Sequence, residues 1–493
     1  MSRKIISSLI RYTFGFFLLI GLVVLLQIHV FRGPSIPDKS GGDMYDPGVH
    51  TEEVSEDKEE SEPIARLRAS EIATLLGVGE AKTYLLLFLN NTELRPGGGF
   101  IGTYAVVRVH HGRPEVIIVD GTENLDNNAP VDRFVRAPKE MERYLRIANW
   151  EFRDSNWSPD FSVSTERGLQ FYREEGGTLA EDIDAVFAVT PTVLERLMEI
   201  TGPIVIEGLT FTSENVTETL EYEVEYGYRD RGIAVSDRKD IIEPFMKAFI
   251  GKVSLSAILN SEDLTGLIED MIREKHLLGY SSNPEIGALL HRLGVVGLVA
   301  ETDIDYLLWV DANLSALKTD RVINRNLTYH IEPAQGGYQG VAEMRYAHEG
   351  TEDWRTTRYQ SYARIYVPEG AILTQVERIS EDGESTAVTP VDTGRDLGKT
   401  WFGFLVRVGI GEITRYRVTY RLPSTIDQSI AQGEYRLTVQ KQLGSVETDL
   451  SLDLDFDRLL IGARPGEVEA EWGDARYHVN TSLIEDRTFQ IGF

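Results

Sequence analysis

Apolar residues are distributed along this chain in three regimes. Tyr12 to Phe31 is a 20-residue stretch without Lys, Arg, Asp or Glu. As a helix it spans about 30 Å, the thickness of a bilayer's hydrocarbon core. Arg3, Lys4 and Arg11 precede it with no acid, so the positive-inside bias predicts a cytoplasmic stub over 1–11. The apolar core is long and ends in His29-Val30-Phe31-Arg32, without the small residues of a cleavage site. The expectation is an uncleaved signal anchor over 12–31 in the plasma membrane, with the bulk of the chain extracytoplasmic. Residues 32–63 carry ten acids against three bases, with Pro34, Pro37, Pro47 and Gly41-Gly42 breaking any period. Such a segment cannot bury enough apolar surface to order itself, which predicts a disordered acidic linker.

The second regime mixes helical spacing with short, continuous apolar runs. Ile64 to Leu76 has helical spacing and stops at Gly77 and Gly79. Tyr84 to Leu89 is continuously apolar, as a strand buried on both faces would be. Phe100 to Val109 and Val116 to Asp120 read as strands joined by a turn at His110 to Pro114. Ile183 to Val189 reads as a strand running into Thr190-Pro191, a hydroxyl N-cap with proline at the first helical position. That helix ends before Gly202, and Ile204 to Ile206 resumes as strand. Helices are expected over 163–172, 213–226, 239–250 and 262–278. Asp305 to Val310 repeats the strand flavour, with Asp311 placed to cap the next element. Strands alternating with helices predict an α/β domain over 64–319.

Beyond about residue 320 the period becomes two. Leu450, Leu452, Leu454 and Phe456 alternate with Ser451, Asp453, Asp455 and Asp457, and Tyr416, Val418, Tyr420 and Leu422 alternate with Arg415, Arg417, Thr419 and Arg421. Each such strand has one dry face and one wet face, which predicts an all-β sandwich over 320–493. The arginines opposite the tyrosines read as a solvated sheet face before they read as a binding surface.

Composition narrows the function classes. The 493 residues include 50 Lys and Arg against 78 Asp and Glu, a formal net charge of -28, which repels a phosphate backbone and excludes nucleic acid as a partner. Zero cysteines exclude disulfides, thiolate nucleophiles and cysteine metal sites together. No Gly-x-Ser-x-Gly elbow is present, and the histidines lack ligand spacing.

Three clusters carry candidate chemistry. Asn90 to Phe100 closes the first buried strand, where open α/β sheets place ligands. Its Gly97, Gly98 and Gly99 let backbone N–H groups approach an anion, and Arg95 adds a forked donor. The same residues also read as a tight turn, since this is neither a Walker loop nor a dinucleotide fingerprint. Arg153 to Phe161 places Arg153, Asp154 and Asp160 in one loop, although Asp160 or Ser162 serves equally as the N-cap of the next helix. Asp237 and Arg238 stand in a charged helix entry suited to an anionic group, and ordinary as a helix start.

YLLLFLNNTELRPGGGFIGTYAVV, RDSNWSPDF, DIDAVFAVTPTVLERLMEITGPIVIEG, YQSYARIYVPEG and KQLGSVE resemble the bacterial domain-of-unknown-function family numbered 4012. The resemblance runs from about residue 80 to 455, and it implies a membrane-anchored protein without naming a reaction. The α/β half is also distantly similar to the LytR–CpsA–Psr glycopolymer phosphotransferases, single-pass envelope proteins that act on polyprenyl-pyrophosphate lipids with magnesium. That likeness implies Arg95, Arg153 and Arg238 around a pyrophosphate, with Asp154, Asp160 and Asp237 as metal or orienting carboxylates. Asn90 and Asn91 stand where those transferases carry an aspartate, and the Arg-x-x-Arg-Gln pattern is not reproduced after Arg238. Two functions are the resulting expectations: binding or transfer of a lipid-linked glycan or cell-wall polymer, or a non-catalytic envelope assembly or adhesion module binding through its sandwich.

Overall fold

The apolar run at 84–89 becomes β1 (Lys82–Asn90), the middle strand of a mixed sheet in a computed structural model that describes residues 68–234, 241–468 and 473–493. Phe100–His110 (β2) and Arg113–Gly121 (β3) run on antiparallel, while Ala185–Val189 (β4) lies parallel to β1 on its other side. Ile204–Ile206 (β5) and Leu209–Phe211 (β6) form a separate hairpin, and Leu277–Tyr280 (β7) closes the sheet antiparallel to β4. The order is β3-β2-β1-β4-β7. Tyr84 and Leu86 point into one hydrophobic core, and Leu85, Leu87 and Leu89 into another. β1 therefore reads as continuously apolar because helices cover both faces of its sheet. Each fully buried leucine contributes about 2 kcal/mol.

The remaining strands build two seven-stranded sheets. One contains, in spatial order, β13 (Ser385–Ala387), β12 (Ile372–Ile379), β16 (Ile413–Arg421), β10 (Gly337–His348), β9 (Ile323–Ala334), β18 (Asp449–Asp455) and β20 (Arg476–Ser482). The other contains β14 (Asp392–Asp396), β15 (Lys399–Val408), β11 (Tyr359–Pro368), β8 (Asp305–Asn313), β17 (Glu434–Gln440), β21 (Arg487–Gly492) and β19 (Gly462–Arg464). Leu327, Tyr346, Val418 and Leu452 of the first sheet and Trp309, Ile365, Phe404 and Leu437 of the second share one core between them. The mixed α/β half followed by β-rich sheets is thus as expected. The anchor and linker expected over 12–63 lie outside the described residues, among which no helix is long and apolar enough to cross a membrane.

The structure corrects several expectations. Asp305 to Val310 does not belong to the α/β sheet. It is the strand between β11 and β17, and all of β8 is buried. Its Leu307 and Trp309 face the sandwich core, while Tyr306, Leu308 and Val310 face a second apolar cluster with Val299 and Tyr366. A sandwich strand buried on both faces has the same signature as a parallel α/β strand. The dry-and-wet alternation holds for β16 and β18 but fails for β8 and β11, whose outer faces are covered. Asp311 caps nothing; it is buried and paired with Arg325 at 3.1 Å. The helix expected over 262–278 ends at Arg273, because Lys275 turns into the left-handed region (φ 60°) and releases β7. Thr190 does stand at the N-cap before Pro191, but its hydroxyl bonds His276 Nδ1 at 2.9 Å instead of the helix backbone.

Candidate functional site

The glycine-rich turn is packed on every side. Gly97 N–H donates to the Asn156 carbonyl at 3.0 Å, and Asn156 Nδ2 donates to the Gly99 carbonyl at 2.7 Å. Gly98 and Gly99 hold φ values of 118° and 151°, where a Cβ would strike Leu89 and the Asn90 backbone. These glycines are required by conformation and close approach, and Asn156 occupies the space an anion would take.

Arg95 is 5% exposed, and all three guanidinium nitrogens are engaged. Nε donates to Asp154 at 3.2 Å, Nη1 to the carbonyls of Leu94 and Asn313 at 3.2 and 3.0 Å, and Nη2 to Glu93 at 3.1 Å. The Phe100 ring lies 5.2 Å from the guanidinium carbon. Burial opposes the Arg95 charge, but Asp154 and Glu93 more than offset it and hold the pKa above its ordinary value. Burial likewise raises the Glu93 carboxyl against the pull of Arg95. The neighbouring backbone is tied to the sandwich: Leu94 N–H donates to Asp320 at 3.0 Å, and its carbonyl accepts from Asn313 N–H at 2.9 Å.

Arg153 pairs with other carboxylates than Arg95 does. It reaches Asp126 at 2.5 Å and Glu151 at 3.2 Å, with its side chain 29% exposed. Asp154 is spent on Arg95. Asp160 is the N-cap of the helix Phe161–Glu174, accepting from Val163 N–H at 3.2 Å through one oxygen and from Val299 N–H at 2.9 Å through the other. Of the carboxylates implied for magnesium, Asp154 and Asp160 therefore face separate protein donors and do not fit a shared cation. Among the described residues no group of three or more His, Asp or Glu is placed to hold one. Asp237 and Arg238 lie outside the described residues.

The crevice past the carboxyl ends of parallel β1 and β4 is where an open α/β sheet takes its ligand, and here the loop after β17 fills it. Asn91 Nδ2 donates to the Gly444 carbonyl at 3.0 Å and to Thr192 at 2.9 Å, and Gly444 N–H donates to the Lys275 carbonyl at 3.1 Å. Leu443 packs with Leu85, Leu87, Leu89 and Leu278. Gln442 accepts from Asp311 N–H at 2.9 Å and donates to the carbonyls of Asp311 and Arg95 at 2.8 and 3.2 Å.

Lys441 anchors this loop from below, donating to the carbonyls of Glu274, at 2.8 Å, and Ser445. Burial and the nearby Lys275 lower its pKa to about 7. Burial, reinforced by Lys441 and Arg196, holds His276 well below the ordinary histidine value. Sequence reasoning assigned these residues no role. Their one local signal was a Lys-Gln-Leu-Gly-Ser run that breaks the period of two between alternating strands.

An open cavity of about 430 Å³ lies on the outer face of the sheet containing β9, β10, β12, β16, β18 and β20. Its walls are mixed: Ile331 and Val341 contribute apolar surface, beside Gln375 and side chains of both charge signs that include Glu332, Glu377, Arg417, Asp453 and Arg476. Arg417 pairs with Glu343 at 2.7 Å and Arg476 with Asp455 at 3.3 Å. Of the alternating arginines of β16, Arg417 lines this hollow, while Arg415 and Arg421 are not among its walls.

No curated protein matches the sequence. Among solved structures, the chain aligns with a protein of Legionella pneumophila described as nutrient binding, at 8% identity over 38% of this chain and 71% of that one, with a TM-score of 0.25. It aligns with leukotriene A4 hydrolase from Saccharomyces cerevisiae at 8% identity over 35% of this chain and 28% of that one, with a TM-score of 0.22. Likenesses at this level carry no argument, and neither bears on the LytR–CpsA–Psr transferases. The family comparison is specific: residues 79–225, which hold both the glycine-rich turn and the Arg153 loop, match the family described as protein of unknown function (DUF4012), so the resemblance to that family holds over that stretch.

Proposed function

We propose that this protein is a membrane-anchored, extracytoplasmic binding module of the bacterial cell envelope, which holds a cell-wall polymer or lipid-linked glycan on the outer face of its sandwich. The observation that carries this reading is the filled crevice. Transfer of a pyrophosphate-linked glycan asks for free donors at the strand ends, and there Leu443 and Gly444 take the volume while Arg95 is spent on Asp154 and Glu93. The cavity on the outer sheet, by contrast, is open, and its mixed lining of apolar surface and polar side chains suits the C–H faces and hydroxyls of a glycan chain. The residues 12–31 supply the anchor and 32–63 the tether in this reading.

Co-sedimentation of the detergent-purified full chain with isolated bacterial cell walls tests it. Wild type is expected in the pellet, and the double variant Gln375→Ala, Arg476→Ala in the supernatant. Equal sedimentation of both would overturn the reading that the outer-sheet cavity holds the polymer.

A further inference from the structure

Away from the crevice and the outer-sheet cavity, three aromatic rings meet at the surface where the two halves adjoin. The helix Val216–Tyr222 continues into a widened turn, Glu223–Gly227, which places Tyr222 and Tyr226 side by side. Their rings lie 6.2 Å apart at 27°, and Trp354, from the connection between β10 and β11, meets them at 5.9 and 5.1 Å. Tyr222 and Tyr226 are 37% and 41% exposed, so the cluster is a floor rather than a core. Widened helical turns of this kind recur at functional sites.

The floor is rigid. The buried Glu223 carboxylate lies against Gly227, where a Cβ would come within 2.6 Å of it, and pairs with Arg231 at 2.7 Å. Arg355 holds Glu218 at 3.3 Å and Glu221 at 2.9 Å, which ties the Trp354 segment to the helix. The Lys318 ammonium and the Arg355 guanidinium already sit 5.6 and 5.5 Å from the Trp354 ring. What remains open is the pair of tyrosine rings and the exposed edges of two arginine-paired carboxylates, Glu218 (on Arg355, side chain 52% exposed) and Asp353 (on Arg321, side chain 36% exposed).

We infer that this floor is a binding site for a neutral oligosaccharide. A pyranose ring has an apolar C–H face that stacks on an aromatic ring, and hydroxyls at its edge that donate to carboxylates. The tyrosine pair and these carboxylate edges supply both, already ordered. Three rings in mutual contact leave no gap for a quaternary ammonium, which needs a cage. Nucleobases stack equally well, but the chain's net charge of -28 opposes their phosphates. None of the residues lining the outer-sheet cavity belongs to this floor.

Titration of the full chain with chitotetraose and with cellotetraose, monitored by tryptophan fluorescence, tests it. Saturable binding is expected for at least one, in roughly the millimolar range for a single open platform. Tyr226→Ala is expected to weaken it by roughly tenfold or more, as stacking losses do. Tyr226→Phe and the cavity variant Gln375→Ala, Arg476→Ala should bind as wild type. Failure of both sugars to saturate, or binding that survives both Tyr226→Ala and Tyr222→Ala, overturns the inference. Saturation by a decaproline peptide but by neither sugar overturns it in favour of a peptide site.

Discussion

Gly444→Ala is the sharpest probe of the filled crevice. Gly444 holds φ 68°, and a Cβ there would come 2.0 Å from the Gly98 carbonyl oxygen and 2.8 Å from its carbon. The left-handed backbone alone costs alanine about 1 kcal/mol relative to glycine. The contact must also open by more than an ångström, and neither side yields easily. Gly98 sits at φ 118° with its N–H on the Arg95 carbonyl at 3.0 Å, while Gly444 is held by Asn91 and Lys275. Moving the loop breaks those two buried hydrogen bonds, at about 1 kcal/mol each when the groups find water and up to about 3 when they do not. The expected total is about 3–7 kcal/mol. Gly208→Ala is the control, since Gly208 has φ 83° with nothing within 4 Å of its Cβ position, and only the backbone cost of about 1 kcal/mol applies. Urea unfolding of the full-length variants, with hydrogen exchange over 90–99 and 441–446, separates the two effects. A Gly444→Ala midpoint no lower than that of Gly208→Ala, with exchange unchanged in both segments, would refute the claim that this loop is wedged into the strand ends.

Arg95→Met removes one member of a buried charge cluster and leaves Asp154, Glu93 and the Asn313 carbonyl without their donor, so a loss of about 3–5 kcal/mol is expected in the same urea assay. A variant as stable as wild type would mean that Arg95 is not structural. Asp305 is fully buried beneath the hydroxyls of Tyr329 and Tyr435, and burial, only partly countered by those hydrogen bonds, raises its pKa to about 6. The native state therefore keeps a proton that the unfolded chain releases near pH 3.9, so this residue's contribution to stability is complete below pH 4 and falls by about 3 kcal/mol as pH rises to 6. Asp305→Asn should flatten the unfolding midpoint between pH 4 and 6, and an unchanged slope would show that another group titrates there.

Local pattern disclosed much of this fold, and its failures have physical causes. β1 is legible because helices of its own half bury both its faces, and β16 and β18 because one face is covered and the other wet. β8 is not, because what buries its outer face is the α/β half, and nothing in Asp305 to Val310 says which sheet it joins. β7 is hidden by Leu277 and Leu278, which extend the apolar spacing of Met271 and Ile272 past a break that only the φ of Lys275 makes. The N-cap role of Asp160 was readable, since it needs only a residue type and a helix directly after it. Arg95 beside three glycines looks like an anion cradle as long as Asp154, 59 residues on, and Asn156 are out of sight. Long-range partners decide whether a charged loop is a site or a joint, and sequence spacing does not contain them.

Because the loop is a joint, a cut at 319/320 is physically unnatural. It leaves β8 with the α/β half and takes from one sandwich sheet the strand between β11 and β17. On the other side of the cut, Leu94 loses Asp320, Asn91 loses Gly444 and the Arg95 carbonyl loses Gln442. In an open α/β domain those polar groups at the end of β1 would face water or a ligand; here the sandwich satisfies them. The strand-end chemistry of the first half is consumed in holding the second half in place. In the proposed binding reading, recognition falls to surfaces that the union leaves bare, and among the described residues these include the hollow on the outer sheet and the tyrosine floor beside Trp354.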